Sequence, residues 1–292
     1  MTDFDTKYAQ YQQIFEDYLA NFCDKLLCKP HILKESLVYS LKLGGKRIRP
    51  VLMLAFADLL GLEQSKVINY ALALELIHTY SLIHDDLPEM DNDDFRRGKP
   101  SNHKVFGVGN AVLAGDGLLN TAYSILFNEC FNGNDNVSAA KYICDCAGIG
   151  GMIAGQSADL LHENDDNIDE ETLNFIHKNK TAKLIMAACV PPSILCGGKY
   201  YSEITTFSSD LGFLFQLTDD ILDVEGSFEN MGKSIGKDST EGKYTAVRLY
   251  GLADCKLRAD LYTDRCIKML DCFNGDTAFL KDLIYFVRHR NN

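Results

Sequence analysis

The sequence predicts an all-α fold, one domain over residues 1–292 built as a single large bundle of about ten helices. Three observations predict it. Apolar residues recur at spacings of three and four along most of the chain, the period of a helix face. Two runs, SKVINYALALELIHTYSLIHDDL (65–87) and GNAVLAGDGLLNTAYSILF (109–127), are apolar nearly all round, as helices at the centre of a bundle are. No stretch alternates with period two between turn residues, so strands are not expected.

The breaks set the elements in order. Helices are expected over 5–27 and 31–43, then LGGKRIRP interrupts. Helices over 49–60 and 65–87 follow, ended by LPEMDNDDFRRGKPSNHKVFG. The next pair, 109–128 and 137–161, is separated by FNGNDN, and HENDDN precedes 170–197. A helix over 200–225 runs into GSFENMGKSIGKDSTEGK, and helices over 244–273 and 276–290 complete the chain. The two longest breaks are charged, and long charged loops in a compact domain are usually functional.

Composition narrows the function. A net charge of −12 and a pI near 5.0 repel a polyanion, so nucleic acid is not an expected partner. No apolar run is long enough to span a bilayer, and the polar, acidic start MTDFDTKYAQ is no targeting signal. Ten cysteines lack any Cys-x-x-Cys unit, so reduced buried thiols and a cytoplasmic location are expected.

Two aspartate sets carry the chemistry. Asp85, Asp86 and Asp91 form D-D-x-x-x-x-D, and Asp219, Asp220 and Asp223 form D-D-x-x-D. Asp219 and Asp223 are one helical turn apart on one face, where like charges repel. Both sets end apolar helices, and carboxylates in such surroundings need a counter-charge. Carboxylate oxygens without Cys or His favour a hard cation, Mg²⁺ rather than Zn²⁺. An EF-hand starting at Asp91 fails, because its sixth position is Arg96 and its twelfth Asn102. A di-iron bundle wants two Glu-x-x-His units, and Glu75–His78 is the one present.

Cations recur beside glycine turns or beside the acids: Lys46, Arg47 and Arg49; Arg96, Arg97 and Lys99; Lys178, Lys180 and Lys183; Lys233, Lys237 and Lys243. Such a pattern suits two diphosphates held differently, one through Mg²⁺ and one directly by arginine and lysine. An apolar interior between them suits greasy tails.

With these residues in view, the chain resembles the trans-isoprenyl diphosphate synthase family, close to its bacterial farnesyl diphosphate synthases. The resemblance spans nearly the whole chain, through LGGKRIRP, ELIHTYSLIHDDLPEMDNDDFRRGKPSNHKVFG, GNAVLAGDGLL, AGQSADL, NKTAKLI, FQLTDDILDVEG and RHRNN. It implies helices around a deep central cavity, a homodimer, and three Mg²⁺ ions per site. It implies that Asp85, Asp86, Asp91, Asp219 and Asp223 hold Mg²⁺ bridging an allylic diphosphate. Arg96, Lys180, Lys233 and Lys243 would add positive charge there. Lys46, Arg49, His78 and Arg97 would bind the diphosphate of isopentenyl diphosphate, and Thr181 and Gln216 would lie near the allylic cation. Bulk just upstream of the first aspartate set limits chain length in the family. Tyr80 therefore implies a C15 product, with C20 or C10 as alternatives, and small Ser81 forces no earlier stop. The 226–243 segment is expected to act as a lid, and residues 137–161 as a dimer contact. A terpene cyclase would ordinarily replace the second aspartate motif, and a non-catalytic subunit would erode both; both are intact. Glu89 departs from the family's usual small residue, and no task follows for it, Asp93 or Asp94.

Overall fold

A computed structural model describes residues 2–163, 168–225 and 244–290. The chain begins with α1 (Asp3–Lys25), where Thr2 and Asp5 form a reciprocal capping box that satisfies two orphan helix-end amides. Next come α2 (His31–Leu41), α3 (Ile48–Leu60) and α4 (Ile68–Asp85). In α3 every residue from Val51 to Ala57 is buried, and α4 is buried from Tyr70 to Ile77. Of the two runs expected at the centre, 65–87 is there as α4. The run 109–127 is not: it buries one face and leaves Leu113 and Phe127 exposed, and α3 takes the central place beside α4. Helix α6 (Val108–Glu129) lies along α4, while α10 (Lys183–Leu195) and α11 (Tyr201–Glu225) close the other side.

Three expected helices are divided. Residues 137–161 become α7 (Asn134–Ala147) and α8 (Met152–Leu161), split at Gly148, Gly150 and Gly151. A Cβ at Gly151 would stand 2.0 Å from the Cys146 carbonyl oxygen, so the turn closes only around glycine. Residues 170–197 become α9 (Glu170–Ile176), a π-helical turn over His177–Ala182, and α10. Gly251, at φ +80°, separates α12 (Ala246–Tyr250) from α13 (Leu252–Met269), and α14 (Ala278–His289) ends the described chain.

The expectation of no strands is also corrected. A two-stranded hairpin, β1 (Phe95–Arg96) and β2 (Lys99–Pro100), pairs Phe95 with Pro100 and Arg96 with Lys99. Strands of two residues are too short to show alternation. In the structure Arg97 and Gly98 both have positive φ, as a two-residue hairpin of primed type requires. Helix α5 (Asn102–Phe106) follows directly.

A buried ion pair fixes the entry to α3. The Arg47 guanidinium donates to Glu75 at 2.8 Å, to Glu16 at 2.7 Å and to the Leu41 carbonyl at 2.6 Å. Glu75 is thereby used structurally, which explains the isolated Glu-x-x-His. Removing one partner of a buried pair strands the other charge. Glu75→Ala is therefore expected to lower unfolding free energy by about 3–5 kcal/mol, read by urea denaturation.

Candidate active site

A cavity of about 840 Å³ opens between α4, α6, α8, the π turn and α11. That volume is in the usual range for a ligand site, roughly 300–1,000 Å³. From α4 it receives His78, Ser81 and Asp85, spaced i, i+3 and i+7 along one side of the helix, with Tyr80 and His84, i and i+4, on the adjoining side. The chain then folds back, with the Asp91 amide donating to the Asp85 carbonyl at 2.8 Å. This return puts Asp91 on the cavity wall beside Asp85. From the opposite side α11 contributes Gln216, Asp219 and Asp223, spaced i, i+3 and i+7. The two aspartate sets, far apart in sequence, thus line one space.

The π turn contributes Lys180 and Thr181. Two glycines allow it to lie this close to its neighbours. A Cβ at Gly155 would stand 2.1 Å from the Lys180 amide nitrogen, and one at Gly212 would stand 2.3 Å from the Ala182 Cβ. Thr181 Oγ1 donates to Gln216 Oε1 at 2.6 Å, and Gln216 Nε2 donates to Asp220 Oδ1 at 2.8 Å. Asp220 also accepts from the Ala246 amide at 2.8 Å, so this buried carboxylate anchors α12 and orients Gln216. Lys180 Nζ pairs with Asp159 at 2.6 Å. Gly155→Ala is expected to displace the π turn, lower kcat about tenfold or more by misplacing Lys180, and cost about 1–3 kcal/mol of stability. Steady-state kinetics and thermal melts check this.

On the acidic side, charging Asp85 is costly. Burial raises the Asp85 carboxyl to about 6, with Asp91 and Asp86 adding to the rise against the pull of Lys180 and Arg96. A cation between these carboxylates would relieve that cost. Among the described residues, no three His, Cys, Asp or Glu side chains converge as a ready-made metal cage. Mg²⁺ commonly takes one or two carboxylates and fills its shell with water and phosphate oxygens. The all-oxygen donor set on both walls fits that ion.

The cavity also has a cluster of cations around Arg49. Burial lowers Arg49 to about 10, and Arg97 and Arg290 lower it further against Glu75 and Asp219. Lys46 falls to about 8, through burial first and Arg290 second. His78 is pushed well below its usual value by burial, then by Arg49, Arg97 and Arg96, so its imidazole is neutral. Arg49 Nε is buried with no hydrogen-bond partner among the described residues. Cations that depress one another in this way mark a place for an anion.

The expected residues are not all on the wall. Arg49, His78, Arg96, Lys180, Thr181, Gln216 and four aspartates, Asp85, Asp91, Asp219 and Asp223, line the cavity. Asp86 does not; it is buried and accepts from the Arg96 guanidinium, with Nε at 3.0 Å from Oδ1. Arg97 reaches back to the Gly44 carbonyl oxygen, and its guanidinium occupies the space a Cβ on Gly45 would need. Lys46 stands behind the wall near the Phe286 ring. Lys233, Lys243 and the expected lid lie outside the described residues.

A family model described as polyprenyl synthetase matches residues 30–269. The chain belongs to the polyprenyl synthetase family. It is a prenyltransferase. A farnesyl diphosphate synthase from Bacillus subtilis (strain 168) is 41% identical over 285 residues, covering 95% of this chain and 93% of the relative. A chloroplastic geranylgeranyl pyrophosphate synthase from Capsicum annuum is 42% identical over 269 residues, covering 90% and 73%. A crystal structure of geranyltransferase from Helicobacter pylori, complexed with magnesium and isoprenyl diphosphate, superposes with a TM-score of 0.83 at 30% identity, covering 98% and 97%.

Several residues of this polyprenyl synthetase site escaped the sequence reading. Gln156 lines the cavity with Nε2 buried and without a hydrogen-bond partner among the described residues. Asp159 and Asp93 line it too, pairing with Lys180 and Arg96. The motif AGQSADL contains Gln156 and Asp159, but it has no cation or glycine turn to mark it as phosphate-binding. Arg290 donates to Asp219 at 2.7 Å and to the Phe215 carbonyl at 2.9 Å, which ties the end of α14 to the second aspartate set. Only the closing RHRNN hinted at it.

Proposed function

We propose that this prenyltransferase joins isopentenyl diphosphate head-to-tail to dimethylallyl or geranyl diphosphate, with Mg²⁺, to give mainly farnesyl diphosphate. The observation that carries the proposal is one cavity lined by aspartates from both motifs and by Arg49, a buried cation that its neighbours Arg97 and Arg290 repel. Asp85, Asp91, Asp219 and Asp223 would hold Mg²⁺ against the allylic diphosphate, and three ions would satisfy two aspartate sets and one diphosphate. Bound Mg²⁺ supplies charge neutralisation for the departing diphosphate. Lys180 and Arg96 add fixed positive charge, with Arg96 held in place by Asp86 and Asp93. Arg49, with Lys46 and Arg97 behind it, receives the diphosphate of isopentenyl diphosphate, and neutral His78 offers it a hydrogen bond. Lys233 and Lys243 remain candidates for further contacts.

The allylic C–O bond breaks, and the double bond of isopentenyl diphosphate attacks the resulting cation. The released diphosphate takes the proton that is lost. Thr181 and Gln216 present oxygens to the cation, and their mutual hydrogen bond fixes them. Apolar walls such as Leu119, Leu184 and Phe215 keep water from quenching it.

Tyr80, buried on the α4 wall, supports C15 as the product length, with Ser81 leaving room above it. A C20 product is the second reading, favoured by the Capsicum annuum relative. Exposed Phe127 on α6, Phe131 just after it, Ile149 in the turn before α8 and Ile153 in the first turn of α8 favour a homodimer. All ten cysteines are free thiols, which suits the cytoplasm.

The test is incubation with isopentenyl diphosphate, geranyl diphosphate and Mg²⁺, then chromatography of dephosphorylated products. A C15 alcohol that disappears with excess EDTA is expected. No condensation with geranyl or dimethylallyl diphosphate would contradict the proposal.

A further inference from the structure

We infer that His84 is a positioning residue for product length: its imidazole braces the Tyr80 ring from a notch in α6 made by Gly115. The inference rests on the chain-elongation reading above and deepens it. His84 and Tyr80 are i+4 and i on α4, one turn apart on the same face, and both line the cavity. Their rings meet edge to face, with centroids 5.7 Å apart and planes at 82°. That arrangement directs the positive edge of one ring at the negative face of the other.

The imidazole is itself held by α6. Nε2 lies 3.1 Å from the Val112 carbonyl oxygen, so Nε2 carries the proton and donates. The Asp116 carboxylate lies on the same side, 4.0 Å from Nε2. The ring fills space that only glycine leaves open: a Cβ at Gly115 would stand 2.1 Å from Nε2 and 2.4 Å from Cδ2. Tyr80 therefore does not limit the tail by bulk alone. It is wedged between its own helix and an imidazole locked to the facing helix. Without that edge the phenol gains rotamer freedom and yields to a longer tail.

The chain-length role separates His84 from the adjacent aspartates, because it acts on the product ratio. His84→Ala removes the ring edge and the hydrogen bond. His84→Gln removes the ring edge and keeps an amide that reaches the Val112 carbonyl. In assays with isopentenyl and geranyl diphosphates, both variants should raise the C20:C15 ratio by about 2- to 10-fold, the change expected from losing one edge-to-face contact. Added to Tyr80→Ala, His84→Ala should leave the ratio where Tyr80→Ala alone puts it, because no ring remains to brace. Unaltered products from both His84 variants overturn the inference. So does a His84→Ala shift that persists in full beside Tyr80→Ala. Loss of all condensation in both variants, with an active wild type, also overturns it, since His84 then serves the chemistry. A wild type that condenses neither primer overturns the underlying function itself.

Discussion

Asp85→Asn should lower turnover by about a thousandfold or more while making the metal-free protein more stable at neutral pH. Both effects come from one buried carboxylate. In the proposed mechanism its charge holds Mg²⁺ together with Asp219 and Asp223, so the amide would lose stabilisation of the leaving diphosphate. In the metal-free protein that charge is a cost. Burial raises the folded-state value from 3.8 to about 6. A raised carboxyl favours folding below its unfolded value, and that contribution is lost as pH rises through about 6. Wild-type protein in EDTA should therefore lose on the order of 1–3 kcal/mol between pH 4 and pH 7 from this group. Asp85→Asn should lack that component. Melts across this range, with and without Mg²⁺, check the linkage, and single-turnover kinetics check the chemistry. Near-normal turnover by the variant would remove Asp85 from the metal site.

Tyr80→Ala should move the main product from C15 to C20 or longer. The ring is buried beside the cavity. Burial, then Tyr123 and Asp85, raises its hydroxyl to about 12, so it stays a neutral phenol at any working pH. Alanine removes the ring from the path proposed for the tail along α4. The aspartates, Lys180 and Arg49 are untouched, so condensation should continue. A C20 alcohol should dominate the dephosphorylated products. Unchanged C15 would show that another wall stops the chain.

The helical architecture was legible because a buried helix announces itself in α4 by apolar residues all round, although the same pattern in α6 belongs to a helix with one face exposed. The aspartate sets were legible because like charges at helical spacing on an apolar helix demand a partner. Details that depend on backbone contact were not. The π turn needs Gly155 and Gly212 opposite Lys180 and Ala182, and those contacts join segments distant in sequence. The split between α7 and α8 lay in three glycines within four residues, a signal present but outweighed by the flanking periodicity. Arg97 at φ +53° shows the same limit, since an arginine in a left-handed turn is not an expected choice. Among the acids, sequence could not distinguish Asp85 from Asp86. Adjacent residues on a helix point about 100° apart, so one reaches the cavity and the other reaches Arg96.

The central claim is that one cavity holds two diphosphates by different means. Calorimetric titration tests it most directly, with isopentenyl diphosphate and a non-ionising thio analogue of the allylic substrate, each with Mg²⁺ and with EDTA. The analogue should bind only with Mg²⁺, whereas isopentenyl diphosphate should bind in both conditions and weaken in Arg49→Met. Equal dependence of both ligands on Mg²⁺ would contradict the account.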